Sequence, residues 1–176
     1  MRAVLIVDML TEFVYGRLGF EEARRIIPNI VKLLKWARER EIPIIYLRDS
    51  HSPTDHELKV WGTHAMKGSE DSKIIPELAP IKGETVIEKN TYSGFHGTEL
   101  EDLLRKLKVD AVILAGVNTH ICVVHTAADA FYRGFGVVVL SDCVASYSEE
   151  HHELFLKYME EMYGARITSL RDLTSE

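Results

Sequence analysis

Short apolar runs recur along the chain, each bounded by turn-forming or charged residues. They cover residues 3–7, 43–47, 85–87, 111–115, 137–140 and 166–168. The runs are rich in valine and isoleucine and do not alternate between apolar and polar positions. This favours parallel strands covered on both faces over a one-sided antiparallel sheet. The pattern therefore predicts six buried strands.

Segments with helical periodicity lie between these runs. The clearest covers residues 21–40 and places Ile30, Leu33 and Ala37 on one stripe, with lysine and arginine on the opposite side. The same periodicity returns over residues 99–107, 121–133 and 149–163. Strands alternating with helices require right-handed crossovers, so we expect an α/β fold. Specifically, we expect a three-layer α/β/α sandwich around a mostly parallel six-stranded sheet, with ligands bound beyond the carboxyl ends of the strands.

Composition narrows the class of protein. The chain has 176 residues, 46% hydrophobic and 27% charged, so we expect residues 1–176 to form a single globular domain. A formal charge of −6 and the lack of a Lys/Arg run argue against a nucleic-acid partner. The apolar N-terminal stretch is polar again by Thr11, too short to span a membrane. We therefore expect a cytoplasmic protein with reduced thiols and no membrane partner.

Three chemically capable side chains follow the ends of predicted strands. Asp8 ends the first strand, Lys89 follows the third, and Cys122 begins the helix after the fourth. Each has an ordinary explanation taken alone, because aspartate caps turns, lysine is usually solvated and cysteine packs as a small hydrophobe. A parallel sheet, however, brings all three to one edge. Their combination therefore predicts a site with a nucleophilic cysteine.

A thiol is mostly protonated at neutral pH, so a nucleophilic cysteine needs a base, a cation or a helix start nearby. Asp8 could accept the proton, while Lys89 and the helix start would lower the pKa of Cys122. The backbone N–H groups of residues 118–122 could receive a developing oxyanion. These groups together predict acyl transfer through a cysteine.

The segment between the second and third strands is long and carries several histidines. Asp49, His51, His56 and His64 mix carboxylate with imidazole, a set that suits Zn, Mn or Fe. A chance cluster of polar loop residues is the alternative. His56 opens the sequence HELKVW, which predicts a short helix with His56 toward solvent. We find neither a GxGxxG fingerprint after the first strand nor a GxxxxGK[ST] motif, so no nucleotide cofactor is expected.

Three sequence blocks resemble the isochorismatase-like cysteine hydrolases, a superfamily that includes nicotinamidases and N-carbamoylsarcosine amidases. They are VDMLTEF at 7–13, IEKNTYSGFHGTEL at 87–100 and AGVNTHICVVHTAADAFYRGF at 115–135. The resemblance runs from residue 3 to about residue 167. It implies a catalytic triad of Asp8, Lys89 and Cys122, and a cis peptide between Val117 and Asn118.

The resemblance also implies ligands for a divalent metal, with zinc the first choice. Carried onto this sequence, they are Asp49, His51 and His64. A metal with open coordination positions would hold the pyridine nitrogen of a substrate. The implied activity is hydrolysis of a small carboxamide, most plausibly nicotinamide, since a cysteine at 122 favours C–N cleavage over vinyl-ether cleavage.

Further expectations concern the pocket and the assembly. We expect Phe13, Tyr92, Val117 and Asn118 to contact the substrate or its oxyanion, and we expect a homo-oligomer, either a dimer or a tetramer. Other aromatic candidates for pocket walls or a subunit interface are Tyr15, Trp61 and Phe95.

Three alternatives stay open at this point. One is an amidohydrolase acting on N-carbamoyl amides. The second is a non-catalytic metal- or ligand-binding module with an inert cysteine. The third is a thiol redox sensor using Cys122 and Cys143, although we expect Cys143 to pack in the core.

Overall fold

The computed structural model describes residues 1–176 and contains one six-stranded sheet in the order β3-β2-β1-β4-β5-β6. All five strand pairs are parallel. The strands are β1 (Arg2–Val7), β2 (Ile44–Asp49), β3 (Thr85–Lys89), β4 (Ala111–Val117), β5 (Gly136–Ala145) and β6 (Arg166–Thr168). The six predicted strands and the α/β fold class are thus confirmed.

Helices cover both faces of the sheet. The α-helices are α1 (Thr11–Val14), α2 (Glu21–Arg25), α3 (Ile27–Glu39), α4 (Leu58–Trp61), α5 (Leu100–Lys106), α6 (Val124–Tyr132), α7 (Glu149–Tyr163) and α8 (Leu170–Thr174). One apolar cluster packs the sheet against α1, α2, α3 and α8, and a second packs it against α5, α6 and α7. The result is the expected three-layer sandwich. None of the helices has the length and apolar character needed to cross a membrane.

The helix predicted over residues 21–40 is in fact two helices that meet at Ile26. Pro28 lies at the start of α3, where its missing N–H would have donated to the previous turn. The break leaves the apolar stripe intact, because Ile30 and Leu33 are still fully buried against the sheet.

The strand order reverses beside β1, so the carboxyl ends of β1 and β4 lie together at the centre of one edge. Val7 pairs with Gly116 at this point. Gly116 has a φ of 118°, and a Cβ there would lie 2.0 Å from the Val7 carbonyl oxygen. Only glycine allows the two strand ends to approach this closely. This is the place where parallel α/β sheets bind ligands.

Candidate active site

Asp8 turns the chain away from the sheet as β1 ends. Its backbone has a φ of 49°, a left-handed conformation that aspartate tolerates better than most residues. Its N–H still donates to the Leu47 carbonyl at 2.9 Å, and its Oδ1 accepts from the Asp49 N–H at 3.0 Å. These two bonds fix the carboxylate over the ends of β1 and β2, where it is 1% exposed.

Lys89 ends β3 and reaches back to the same point. Its Nζ lies 2.7 Å from Asp8 Oδ2 and 2.5 Å from Asp49 Oδ1, and donates to the Thr91 carbonyl at 3.0 Å. The Sγ of Cys122 is 3.7 Å away. A buried ammonium with two carboxylates and a carbonyl around it has its donors satisfied, so Lys89 is held rather than free to contact a ligand.

Cys122 lies in a π-helical turn, Thr119–Val123, that precedes α6. Its Sγ, a carboxylate oxygen of Asp8 and one of Asp49 lie within 4.8 Å of one another. The structure thus brings together the three side chains that the sequence predicts as a triad. The Val117–Asn118 peptide is cis, as the resemblance predicts.

Not all of the predicted oxyanion donors are free. Within residues 118–122, the N–H of Ile121 donates to the Asn118 carbonyl at 3.0 Å, and the N–H of His120 donates to Ser146 Oγ at 3.4 Å. The helix that the sequence begins at Ile121 starts instead with the π-helical turn. In this turn, some of the backbone N–H groups form hydrogen bonds within the protein and are not available to an oxyanion.

Burial dominates the electrostatics of the site. It raises the pKa of the Cys122 thiol well above its usual value, and the charge of Lys89 offsets only part of this effect. The sequence-based expectation of a lowered cysteine pKa is therefore wrong. Burial and the charge of Asp49 likewise raise the pKa of Asp8 to about 7, against the opposing effect of Lys89.

Lys89 itself stays charged. Burial works to lower its pKa, but the charges of Asp49 and Asp8 outweigh burial and hold the pKa well above the usual lysine value. Burial works to raise the pKa of Asp49, yet the Lys89 charge prevails and lowers it. The site thus contains a protonated thiol beside a carboxyl group that can take up or release a proton near neutral pH, which is the pairing that proton transfer requires.

A small pocket of about 450 Å³ opens over Cys122. Phe13, Tyr92, Val117 and Asn118, the predicted substrate contacts, all line it. Trp61 lines it too, and its Nε1 donates to the Tyr92 hydroxyl at 3.1 Å, which ties two aromatic walls together.

The other aromatic candidates lie elsewhere. Tyr15 is 49% exposed and bonds Glu77, and Phe95 is buried and stacks on Phe135. Conversely, Tyr147 lines the pocket although nothing in the sequence singled it out.

The pocket wall carries acidic groups and no arginine or lysine. Apart from two tyrosines, its ionisable side chains are Asp8, Asp49, Glu57, His64 and Cys122. The nearest cation, the Lys89 ammonium, is already bound by Asp8 and Asp49. The pocket therefore offers no free arginine or lysine to a carboxylate on a ligand.

A second group of buried side chains adjoins the first and could hold a metal ion. Asp49, His51, Glu57 and His64 each present one potential ligand atom, and these atoms lie within 4.8 Å of one another. Asp49 Oδ2, His51 Nε2 and Glu57 Oε2 are buried without a hydrogen-bond partner. Buried polar atoms without partners are costly, and a divalent cation would satisfy all three at once. The donor set therefore fits a metal.

Glu57 is not among the metal ligands predicted from the sequence. It precedes α4 in a polar segment where glutamate is common and where no periodicity marks a buried position. Its neighbour His56 is exposed, as expected, while His64 is 2% exposed.

Cys143 is fully buried in β5 and packs in the apolar cluster on one face of the sheet. Cys122 belongs to the cluster on the opposite face, and both thiols are free. The sheet between them prevents a disulfide, which argues against the redox-sensor alternative.

The chain is similar to known proteins over most of its length. Residues 2–172 match the isochorismatase domain. Nicotinamidase 3 of Arabidopsis thaliana is 37% identical over 160 residues, which cover 88% of this chain and 78% of the relative.

Two crystal structures extend the likeness to three dimensions. N-carbamoylsarcosine amidase from Thermoplasma acidophilum has a TM-score of 0.92 and 40% identity, with 96% of both chains covered. Pyrazinamidase of Pyrococcus horikoshii in complex with zinc has a TM-score of 0.88 and 29% identity, with 96% of this chain and 98% of that one covered.

Proposed function

The chain belongs to the isochorismatase family, and from this premise we propose that it is a cysteine amidohydrolase that converts a small uncharged carboxamide, nicotinamide first, to its carboxylate and ammonia. One observation carries the proposal. The Cys122 thiol, the Asp8 carboxyl group and the Lys89 ammonium meet at the base of a small pocket with aromatic walls.

In the proposed acylation, Cys122 Sγ attacks the amide carbon as Asp8 takes the thiol proton. The transfer has to accompany the attack, because burial keeps the thiol protonated in the free enzyme. A C–S bond forms and the carbonyl oxygen becomes an oxyanion. Of the predicted donors, the N–H groups of Asn118, Thr119 and Cys122 are left to receive it, since Ile121 and His120 use theirs elsewhere. Asp8 then gives its proton to the departing nitrogen, the C–N bond breaks and ammonia leaves.

Deacylation uses the same carboxylate again. Asp8 takes a proton from a water molecule as that water attacks the thioester, and the C–S bond then breaks with the proton returned to the sulfur. Lys89 stays charged throughout and holds Asp8 in place through the 2.7 Å ion pair. One water molecule is consumed, and the enzyme returns to its starting protonation state.

We propose that Asp49, His51, Glu57 and His64 bind a divalent metal, with zinc as the first choice. When bound, the metal would supply open coordination positions that hold a pyridine nitrogen of the substrate. The zinc complex of the pyrazinamidase relative supports this assignment, as do the buried ligand atoms without partners.

N-carbamoyl amides are the second candidate, favoured by the 40% identity to an N-carbamoylsarcosine amidase. Such substrates carry a carboxylate, and the acidic pocket wall has no arginine or lysine to bind it. Burying an unpaired carboxylate beside Glu57 would cost binding energy. This difference in charge is our reason for placing the uncharged carboxamide first.

An ammonia-release assay tests the proposal. It would compare nicotinamide, pyrazinamide and N-carbamoylsarcosine on metal-stripped protein and on protein reloaded with Zn, Mn or Fe. We expect the highest kcat/KM with the two pyridine or pyrazine carboxamides. Faster turnover of N-carbamoylsarcosine would favour the second candidate, and no ammonia from any amide with any metal would overturn the proposal.

A further inference from the structure

Asp55 makes three hydrogen bonds in a loop where most side chains are solvated. Its Oδ2 lies 3.2 Å from His51 Nδ1 and accepts from the Ser52 N–H at 2.8 Å. Its Oδ1 accepts from Asn90 Nδ2 at 3.3 Å. The Asp55 side chain is 12% exposed and that of His51 is fully buried. Neither the proposed triad nor the proposed metal ligands include Asp55.

These contacts determine where the proton of His51 resides. An ionised carboxylate only accepts hydrogen bonds, so the ring nitrogen that faces Asp55 has to be the donor. A neutral imidazole has one N–H, and with that proton on Nδ1 the lone pair is on Nε2. His51 Nε2 is buried without a hydrogen-bond partner, 3.6 Å from Asp49 Oδ2 and 3.9 Å from Glu57 Oε1.

His64 has the same tautomer by a different route. Its Nδ1 lies 2.8 Å from the Gly62 carbonyl oxygen, which also only accepts, so Nε2 is again the free nitrogen. The ring centroids of His51 and His64 are 4.6 Å apart. A backbone carbonyl therefore sets the tautomer of His64, whereas a side chain sets that of His51. Only the His51 arrangement can therefore be tested by a simple substitution.

We propose that Asp55 is a positioning residue that holds His51 in the Nδ1–H tautomer and thereby turns Nε2 toward the group formed with Asp49, Glu57 and His64. The hydrogen bond from Asn90 links Asp55 to the end of β3, because Asn90 directly follows Lys89. The consequence for metal affinity rests on the proposed function, whereas the tautomer is a property of the metal-free protein.

Alanine is the informative replacement. The same oxygen, Asp55 Oδ2, faces both His51 Nδ1 and the Ser52 N–H, so asparagine would keep an acceptor there and leave the tautomer unchanged. Asp55→Ala removes the acceptor. The proton of His51 is then better placed on Nε2, which lies 3.6 Å from Asp49 Oδ2, and this tautomer has no lone pair left on Nε2 for a metal. Loss of such an outer partner typically weakens metal binding about 10–100-fold.

The experiment uses two readouts on the full chain. Long-range ¹H–¹⁵N spectra of the metal-free protein at pH 8.5 report the tautomer of His51, whose signals are assigned by their loss in His51→Gln. Competition with a chromophoric chelator gives the Kd for Zn²⁺. Asp71→Ala is the matched control, because Asp71 is an exposed loop residue on the same crossover. Thermal unfolding of each metal-free variant checks that it folds.

We expect Nδ1–H on His51 in the wild type and in Asp71→Ala, and Nε2–H or a mixture in Asp55→Ala, with a Kd for Zn²⁺ raised 10-fold or more. An unchanged tautomer in Asp55→Ala would overturn the inference, and so would a wild-type Kd in that variant. A wild type that binds no Zn²⁺ would instead contradict the metal part of the proposed function. The tautomer measurement would then decide the role of Asp55 alone.

Discussion

Asp49 and Lys89 are paired in register as the last residues of β2 and β3, with Lys89 Nζ 2.5 Å from Asp49 Oδ1. The other oxygen of the same carboxylate faces His51 Nε2 at 3.6 Å. Asp49 therefore joins the group around Cys122 to the group that could hold a metal. From the sequence, Asp49 is predicted only as a member of the second group.

Asp49→Asn should affect both groups. We expect the affinity for Zn²⁺ to fall by more than about tenfold, since one anionic ligand is lost. We also expect kcat to fall by about tenfold even at saturating metal, because the charge of Asp49 raises the pKa of Asp8 and its loss makes Asp8 a weaker base for the thiol proton. The measurements are a chelator competition and steady-state kinetics with added metal.

The preceding pair along the same two strands provides the control. Arg48 pairs with Glu88 in register and their side chains form a partly exposed ion pair at 2.6 Å, and neither residue lines the pocket over Cys122. Glu88→Gln should leave both quantities near the wild-type values. If added metal restored the full kcat of Asp49→Asn, the link from Asp49 to the cysteine site would be refuted.

Cys122→Ser and Asp8→Asn should each lower kcat by about 10³-fold or more, because one removes the nucleophile and the other the group that moves its proton. Both should still unfold cooperatively, since neither side chain fills an apolar core as a large residue does. Cys143→Ala is the matched control on the other cysteine. It should keep its turnover while losing about 1 kcal/mol of stability in urea unfolding. Turnover at the wild-type rate in Cys122→Ser or Asp8→Asn would contradict the mechanism.

The sequence predicts this site well where strand ends decide the geometry. Asp8, Lys89 and Cys122 meet because a parallel sheet places the carboxyl ends of its strands at one edge, and apolar runs mark those ends in the sequence. The sequence does not mark in this way how deeply a side chain is buried. The direction of the Cys122 pKa shift depends on burial in the folded chain, so the prediction from neighbouring charges alone was wrong.

Loops are less predictable for a related reason. Glu57 is buried because the crossover folds back over Asp49, a tertiary contact that leaves no periodic pattern in the sequence. The break at Ile26, by contrast, had a visible cause in Pro28 and could have been predicted. The homo-oligomeric state and the single domain over residues 1–176 stay predictions.

Removing the metal tests which of two histidines on the same loop, His56 or His64, is a ligand. If the metal positions a pyridine carboxamide, chelation should mainly raise KM for nicotinamide, and His64→Ala should reproduce that rise. His56→Ala should not, since His56 is exposed and His64 is buried beside Glu57. The measurements are KM and bound zinc for each variant. A protein that keeps its zinc in His64→Ala and loses it in His56→Ala would show that the ligand assignment is wrong.

Stability should depend on pH through His120, which lies in the same π-helical turn as Cys122. Its Nδ1 lies 2.8 Å from Ser146 Oγ, and its ring centroid is 4.7 Å from that of His151. Burial, together with the charge of His151, lowers the pKa of His120 from 6.5 to about 4. Between these two values the unfolded chain binds a proton at this position and the folded chain does not. Acid therefore favours unfolding, and this contribution to stability is lost as the pH falls from 6.5 toward 4.

Replacing the titrating ring should remove that part of the pH dependence. Asparagine can still bond Ser146 but does not titrate, so the difference in unfolding free energy between wild type and His120→Asn should shift in favour of the variant as the pH falls from 7 to 5. Urea unfolding at pH 7, 6 and 5 measures this difference, and His96→Asn, at an exposed position, serves as the control. Because each variant is compared with wild type at the same pH, titration of other groups largely cancels. A difference that stays constant across the three pH values would show that His120 titrates alike in the folded and unfolded chains.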